Sequence, residues 1–316
     1  MHKRFVNHCT IELHIIPNGP IIIKSGKEGA DPTKPEMEFV ETYHQGRRSI
    51  YLPGSSLKGA IRAHAERIVR TVGDDKRPNN PEKLWANDPL NDDYKYLEKK
   101  SSSEIYKLSS FTDRMFGNIS LASRIRIEDA YPSPDRPLKL EERNGVAIDR
   151  VFGSSVPGAL FNYQVCTEGE FSTKIHLKNF TLAQLGLIGL VLRDLNDGWF
   201  GLGFAKSRGM GTVNVQLKSA RVQYPGCILK DGRIQALGSQ KTWAVNMLLG
   251  AGAFLSEDEC RNYDFPVEDE EDTPVAAKEM DLGLGVYLLW QGEEQVKDLF
   301  TRAVKAWKQK VEGVAA

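Results

Sequence analysis

The run Leu52-Pro53-Gly54-Ser55-Ser56-Leu57-Lys58-Gly59-Ala60-Ile61-Arg62 constrains the fold more than any other part of the chain. A tight Pro53-Gly54 turn delivers the backbone into a helix, and Ser55 or Ser56 is the expected N-cap. The helix starts beside Lys58, so its unpaired N–H groups and positive dipole end suit a phosphate. Leu57, Ile61, Ala65, Ile68 and Val72 recur at helical spacing and predict the face that packs on a sheet. Lys58, Arg62, Glu66 and Arg70 form a second, mostly cationic stripe. On charge alone such a stripe reads as an ordinary solvated surface. Turn, glycines and cations together point instead to a bound anion.

The elements around this helix follow from periodicity. Residues 6–16 alternate as a strand with Ile11, Leu13 and Ile15 on one face, ended by Pro17-Asn18-Gly19-Pro20. Residues 24–36 read as an exposed loop, and a short strand over 49–52 leads into the helix. The next thirty or so residues are charged and weakly periodic, an insertion outside the core. Residues 121–129 alternate, Ile125 and Ile127 facing in while Arg124, Arg126 and Glu128 face out. Residues 160–166 and 172–177 read as the paired strands of a hairpin arm. A helix over 181–195 takes Thr181 as N-cap and turns Leu185, Ile188 and Leu192 inward, and 211–217 forms the closing strand. The resulting β-α-β-β-α-β order predicts an α+β, ferredoxin-like core of the RRM type. It occupies residues 1–222, with the insertion at about 73–110 and a β-hairpin thumb at about 136–165. Residues 223–316 form a C-terminal extension: an acidic linker over 262–278, then a terminal helix with Val296, Phe300, Ala303 and Trp307 as one buried stripe.

Charge and cysteine usage narrow the function classes. The chain has 42 basic and 42 acidic side chains, so any nucleic-acid binding must come from local segregation of charge. Acids cluster at Glu268-Asp269-Glu270-Glu271-Asp272, which leaves the first two thirds more basic. Cys9, Cys166, Cys227 and Cys260 lie far apart without metal-ligand spacing and are expected to be free and buried. No apolar stretch is long enough to cross a bilayer, since 181–192 stops at Arg193. A cytoplasmic location without a membrane partner is the expectation.

Three ordered blocks carry a resemblance. The Leu52 run, Val146-Ala147-Ile148-Asp149-Arg150 with Gly158-Ala159-Leu160-Phe161, and Gly201-Leu202-Gly203 through Ser207-Arg208-Gly209-Met210-Gly211 resemble the repeat-associated mysterious protein (RAMP) superfamily of CRISPR systems. The resemblance is to backbone subunits of type III effectors, of the Csm and Cmr kind. It implies an endoribonuclease that binds guide RNA (crRNA) and cleaves complementary target RNA at regular intervals. The implied partners are those two RNAs and other backbone, cap, large or small subunits, and the implied cofactor is a divalent ion, magnesium or manganese. Asp31, in Gly29-Ala30-Asp31-Pro32, stands where such subunits place a single catalytic aspartate, acting as base or as metal ligand. Lys24, Lys27 and Lys34 would steady phosphates around it, with Glu28, Glu36, Glu38 and Glu41 as alternative acids and His44 and His64 as further acid–base candidates. Ser55, Ser56, Lys58 and Arg62 are expected RNA contacts, as are Lys206, Ser207 and Arg208 between glycines. At the thumb, Arg150 and Phe152 would grip phosphate and base while Val156-Pro157 wedges the strand open. Two alternatives stay open: a catalytically silent scaffold subunit of the same complex, and a guide-processing endoribonuclease that leans on a histidine.

Overall fold

The computed structural model describes residues 4–26, 35–80, 83–88, 90 and 93–315. Strand β1 (His8–Pro17) shows the predicted alternation, with Cys9, Ile11, Leu13 and Ile15 buried. The ribbon β2 (Glu41–His44) and β3 (Arg47–Ile50) turns at Gln45-Gly46, both at positive φ, as a two-residue hairpin requires. Helix α1 (Gly54–Val72) follows, then α2 (Ser102–Leu108) and the single turn α3 (Asp113–Phe116). β4 (Ile125–Ile127) and β5 (Tyr131–Pro132) precede a long hairpin of β6 (Lys139–Ile148) and β7 (Ser155–Glu168). β8 (Phe171–Lys178), α4 (Leu182–Asn196) and β9 (Val213–Tyr224) complete the first part. The remainder comprises β10 (Cys227–Lys230), β11 (Arg233–Ala236), β12 (Thr242–Ala244), β13 (Met247–Leu249), α5 (Glu257–Tyr263), β14 (Glu270–Asp272), β15 (Lys278–Glu279), β16 (Val286–Gln291) and α6 (Glu293–Ala315).

The main sheet runs β15-β16-β9-β1-β8-β4, every neighbouring pair antiparallel, with β5 also on β8. Within it β9-β1-β8-β4, with α1 between β1 and β4 and α4 between β8 and β9, is the ferredoxin-like arrangement. The inward residues of these strands join α1, α4 and α6 in one core. Each fully buried Ile, Leu or Phe there contributes roughly 1.5–3 kcal/mol. The opposite face carries His8, Thr10, Glu12 and His14 on β1 and stays open to solvent.

Several expectations are corrected. Helix α1 starts at Gly54 after Pro53, with no side-chain cap, so Ser55 and Ser56 lie inside its first turn. The cap comes from elsewhere, since the Gly54 amide donates to Asp129 Oδ1 at 2.7 Å. The buried stripe is Leu57, Ile61, Ala65 and Val69, four residues apart, and Val72 is solvent-facing. Arg124 is buried, bonded to the Tyr106 hydroxyl and the Asn179 carbonyl. The arm pairs β6 with β7, because β8 is taken by β1 and β4. The insertion enters the interior: Leu84, Ala86 and Phe111 belong to the main core, and Tyr106 packs in a second one with Cys260 and Phe265.

The acidic stretch is no linker either, for Asp269 is buried and β14 and β15 pair with β13 and β16. The extension docks on the first part: β16 pairs with β9, and α6 packs along α4. All four cysteines are free and buried. No helix among the described residues is long and apolar enough to cross a membrane.

Candidate nucleic-acid interface

The start of α1 differs from a vacant phosphate site. A Cβ on Gly54 would meet the Ile127 carbonyl oxygen at 2.2 Å, so this glycine serves close backbone packing. Ser55 is exposed and Ser56 half-buried. The Lys58 ammonium donates to Ser123 Oγ at 2.8 Å, and burial followed by the nearby Arg62 charge pulls its pKa down. Arg62 donates to Glu66 at 2.8 Å, to the Gly117 carbonyl at 2.9 Å and to the buried Asp113 at 2.7 Å. Arg70 reaches the Asn87 carbonyl. The expected outward cationic stripe therefore faces the segment that follows α1, and its charges are spent on internal partners.

The glycine-rich loop has a different character. Gly203 and Gly211 take φ of 79° and 85°, and a Cβ on either would lie 2.1 Å from a carbonyl oxygen, of Ile22 and of Leu202 respectively. Backbone bonds from Phe204 to Ile22 and from Gly211 to Pro20, both 2.9 Å, clamp the loop onto residues 20–22. Lys206, Ser207 and Arg208 form an exposed 3₁₀ turn between Ala205 and Gly209, both left-handed. The Arg208 guanidinium sits 5.2 Å from the Phe204 ring and 5.9 Å from that of Phe161 on the thumb, and the Lys24 ammonium lies 5.4 Å over Phe204.

The thumb base closes this group. Ile21 bridges Cys166, and Met37 bridges Tyr163. The Glu36 amide donates to Asn162 Oδ1 at 2.8 Å, while the Ser25 amide reaches the Glu38 carbonyl at 3.1 Å. Asp31, with Lys27, Glu28 and Lys34, lies in 27–34, outside the described residues. The described residues on either side of it, Lys24 and Ser25 before and Glu36 and Met37 after, lie where the thumb base meets the glycine-rich loop. Glu36 is exposed, and Glu41 pairs with Arg48 at 2.6 Å.

Other candidates lie apart. At the thumb tip Asp149 Oδ1 accepts the Val151 and Phe152 amides at 2.8 Å, and these bonds, Phe152's first, hold its carboxyl below the usual range. They orient Phe152, 84% exposed, next to the exposed Arg150. Ten residues of strand set the tip roughly 30 Å from the base. His64 is a core residue, 2.8 Å from Asp194 and stacked on Phe200. His44 stacks on Tyr131.

Phe161 belongs to one of the motif blocks, but Phe204 and the capping Asp129 stand outside every sequence-predicted site. Phe204 beside Lys206 and Arg208 was a readable aromatic–cation signal, whereas Asp129 lies too far along the chain for any local pattern. Among the described residues no group of three or more His, Cys, Asp or Glu could hold a metal ion.

Comparison with known proteins agrees with this architecture. No curated protein matches the chain. The family model described as the RAMP superfamily matches residues 17–214, from the end of β1 through the glycine-rich loop into β9. With that span, well over half of the chain, and a ferredoxin-like sheet carrying a thumb, the protein belongs to the RAMP superfamily of CRISPR-related RNA-binding proteins.

Proposed function

We propose that the protein is a backbone subunit of a type III CRISPR effector, of the Csm or Cmr kind, which holds guide RNA and cleaves complementary target RNA. The observation that carries this reading is the meeting of the glycine-rich loop, the thumb base and the residues that flank 27–34. Lys24, Lys206 and Arg208, backed by Phe204 and Phe161, offer cations and rings to a strand passing there. Sibling, cap, large and small subunits would occupy the remaining contacts along the guide.

Target RNA carries its own nucleophile. Cleavage needs the 2′-oxygen, the phosphorus and the leaving 5′-oxygen held in line. Arg150 and Phe152 at the thumb tip would splay the strand to reach that geometry beside Asp31 of an adjacent copy of the chain, since the tip stands too far from the base to serve its own. Asp31 takes the 2′-hydroxyl proton as the oxygen bonds to phosphorus and the P–O5′ bond breaks; water protonates the leaving oxygen. A divalent ion, magnesium or manganese, would add charge stabilisation at the phosphate, with Asp31 as its candidate protein ligand.

Asp31→Asn is expected to lower cleavage by about 100-fold or more while RNA binding persists, read by gel analysis of labelled target. DNA of the same sequence should bind at most and stay intact, lacking the 2′-hydroxyl. Cleavage by Asp31→Asn at the wild-type rate overturns the assignment. A wild-type complex that carries guide but cuts nothing is the scaffold outcome. Processing of repeat RNA by the isolated protein would favour the guide-maturing reading, for which burial against Asp194 and Phe200 removes His64 as the acid–base group and leaves the half-buried His44.

A further inference from the structure

The open face of the sheet ends in a ladder of rings. The His44 imidazole lies parallel to Tyr131, 8° between planes and 3.7 Å between centroids, and Tyr51 stands 6.0 Å and 17° from Tyr131. Register sets this up: Tyr131 on β5 pairs with the exposed Ser172 on β8, so both point to the uncovered face. The Tyr131 hydroxyl reaches Asp129 Oδ2 at 3.4 Å, and the same carboxylate caps α1 through Gly54, which fixes the ring's height. Tyr43, one residue before His44 on the β2–β3 ribbon, is 78% exposed, and Arg47 and Arg48 on the return strand are exposed as well. None of the ladder rings belongs to either hydrophobic core.

Tyr131 also forms one wall of a hollow of about 620 Å³ in the open face, with Arg126, Lys174 and Lys218 around it. That size falls within the roughly 300–1,000 Å³ of small-molecule sites. Each carboxylate lining it is already engaged: Glu12 with Lys174 and Ser219, Glu128 with His176 and Arg126, Asp129 with the Gly54 amide. Lys174 and Arg126 are held by Glu12 and Glu128 in turn, so Lys218, bonded to the neutral Gln216, is the lining cation that a phosphate would meet. A flat aromatic step beside it matches an unpaired nucleotide, base on the rings and phosphate toward Lys218.

We propose that His44, stacked on Tyr131, forms a base-stacking subsite for a single-stranded RNA nucleotide, sharing no residue with the cluster at the thumb base. The proposal rests on the reading of the protein as an RNA binder. Aliphatic or apolar protein partners would not need the ring ladder, and the exposed side chains around it are mostly charged.

The test is equilibrium titration of full-length protein with single-stranded RNA containing 2-aminopurine, whose fluorescence falls on stacking. Wild type should quench it. His44→Ala and Tyr131→Leu should lose the quench and bind about tenfold more weakly, whereas Tyr131→Phe, which keeps the ring, and Tyr43→Ala, on the other face of the ribbon, should behave as wild type. Thermal melts establish that each variant is folded; should Tyr131→Leu unfold, His44→Ala decides, its ring lying outside the core. RNA binding with unchanged quench and affinity in His44→Ala and Tyr131→Leu overturns the subsite alone. Failure of wild type to bind RNA at all overturns the RNA-binding reading and the subsite with it.

Discussion

At the scale of single residues, Arg62 changes role most between sequence and structure. Its guanidinium neutralises Asp113, whose carboxyl is raised by burial and drawn back by Arg62. Arg62→Ala would leave Asp113 buried with neutral donors such as the Asn87 amide at 2.8 Å and no adjoining cation to balance its charge. A loss of about 3 kcal/mol is expected, read by urea unfolding. Charge reversal at Arg62 would therefore report folding, and RNA contacts are better probed at exposed Lys206 and Arg208. Asp269 gives a second residue-scale prediction. Burial pushes its carboxyl up to about 7, opposed by hydrogen bonds from the Leu182 and Gly252 amides. Unfolded, it titrates near ~4. Between those values the folded state holds the extra proton, so its contribution is full below about pH 4 and is lost as pH rises to about 7. Unfolding free energies across that window should fall more steeply with pH in wild type than in Asp269→Asn, which cannot ionise.

At the scale of elements, two helical glycines act in opposite directions. A Cβ at Gly186 on α4 would stand 2.5 Å from the Ala303 carbonyl oxygen on α6, whereas at Gly59 on α1 it meets nothing within 4 Å. Gly186→Ala should destabilise by about 1–3 kcal/mol, as α6 must be pushed off its seam. Gly59→Ala should stabilise by up to about 1 kcal/mol through helix propensity, both compared by thermal melting. Helix α4 was legible because its signals are local: Thr181 accepts from the Gln184 amide and the Gln184 side chain accepts from the Thr181 amide. The thumb was legible as a hairpin but not in its pairing, since residues 172–177 alternate clearly whereas 139–148 open on a charged run and carry no period of 2. Only the demand of β1 and β4 for a shared neighbour assigns them.

At the scale of the whole molecule, the extension from residue 223 is part of the same sheet and the same core. β16 covers the outer edge of β9, and Val296, Leu299, Phe300 and Ala303 of α6 are buried against the first part. A chain cut after residue 222 would expose the β9 edge and the α4 face that meets α6. It should fail to give a monodisperse, cooperatively unfolding protein, measured by size exclusion and near-UV circular dichroism. A truncated chain that folds and binds RNA would show the first part to be autonomous.

The order of strands and helices, the inward faces of β1 and α4 and the cap of α4 were determined by the sequence alone, because periods of 2 and 3.6 and a capping box act within a few residues. The tertiary structure alone decided that the α1 cations are spent on Asp113 and Gly117, that Asp129 caps a helix starting 75 residues earlier, and that the thumb base meets the glycine-rich loop. Those outcomes rest on hydrogen bonds and charges from distant segments, and which donor meets which acceptor is settled only when the sheet register brings them together.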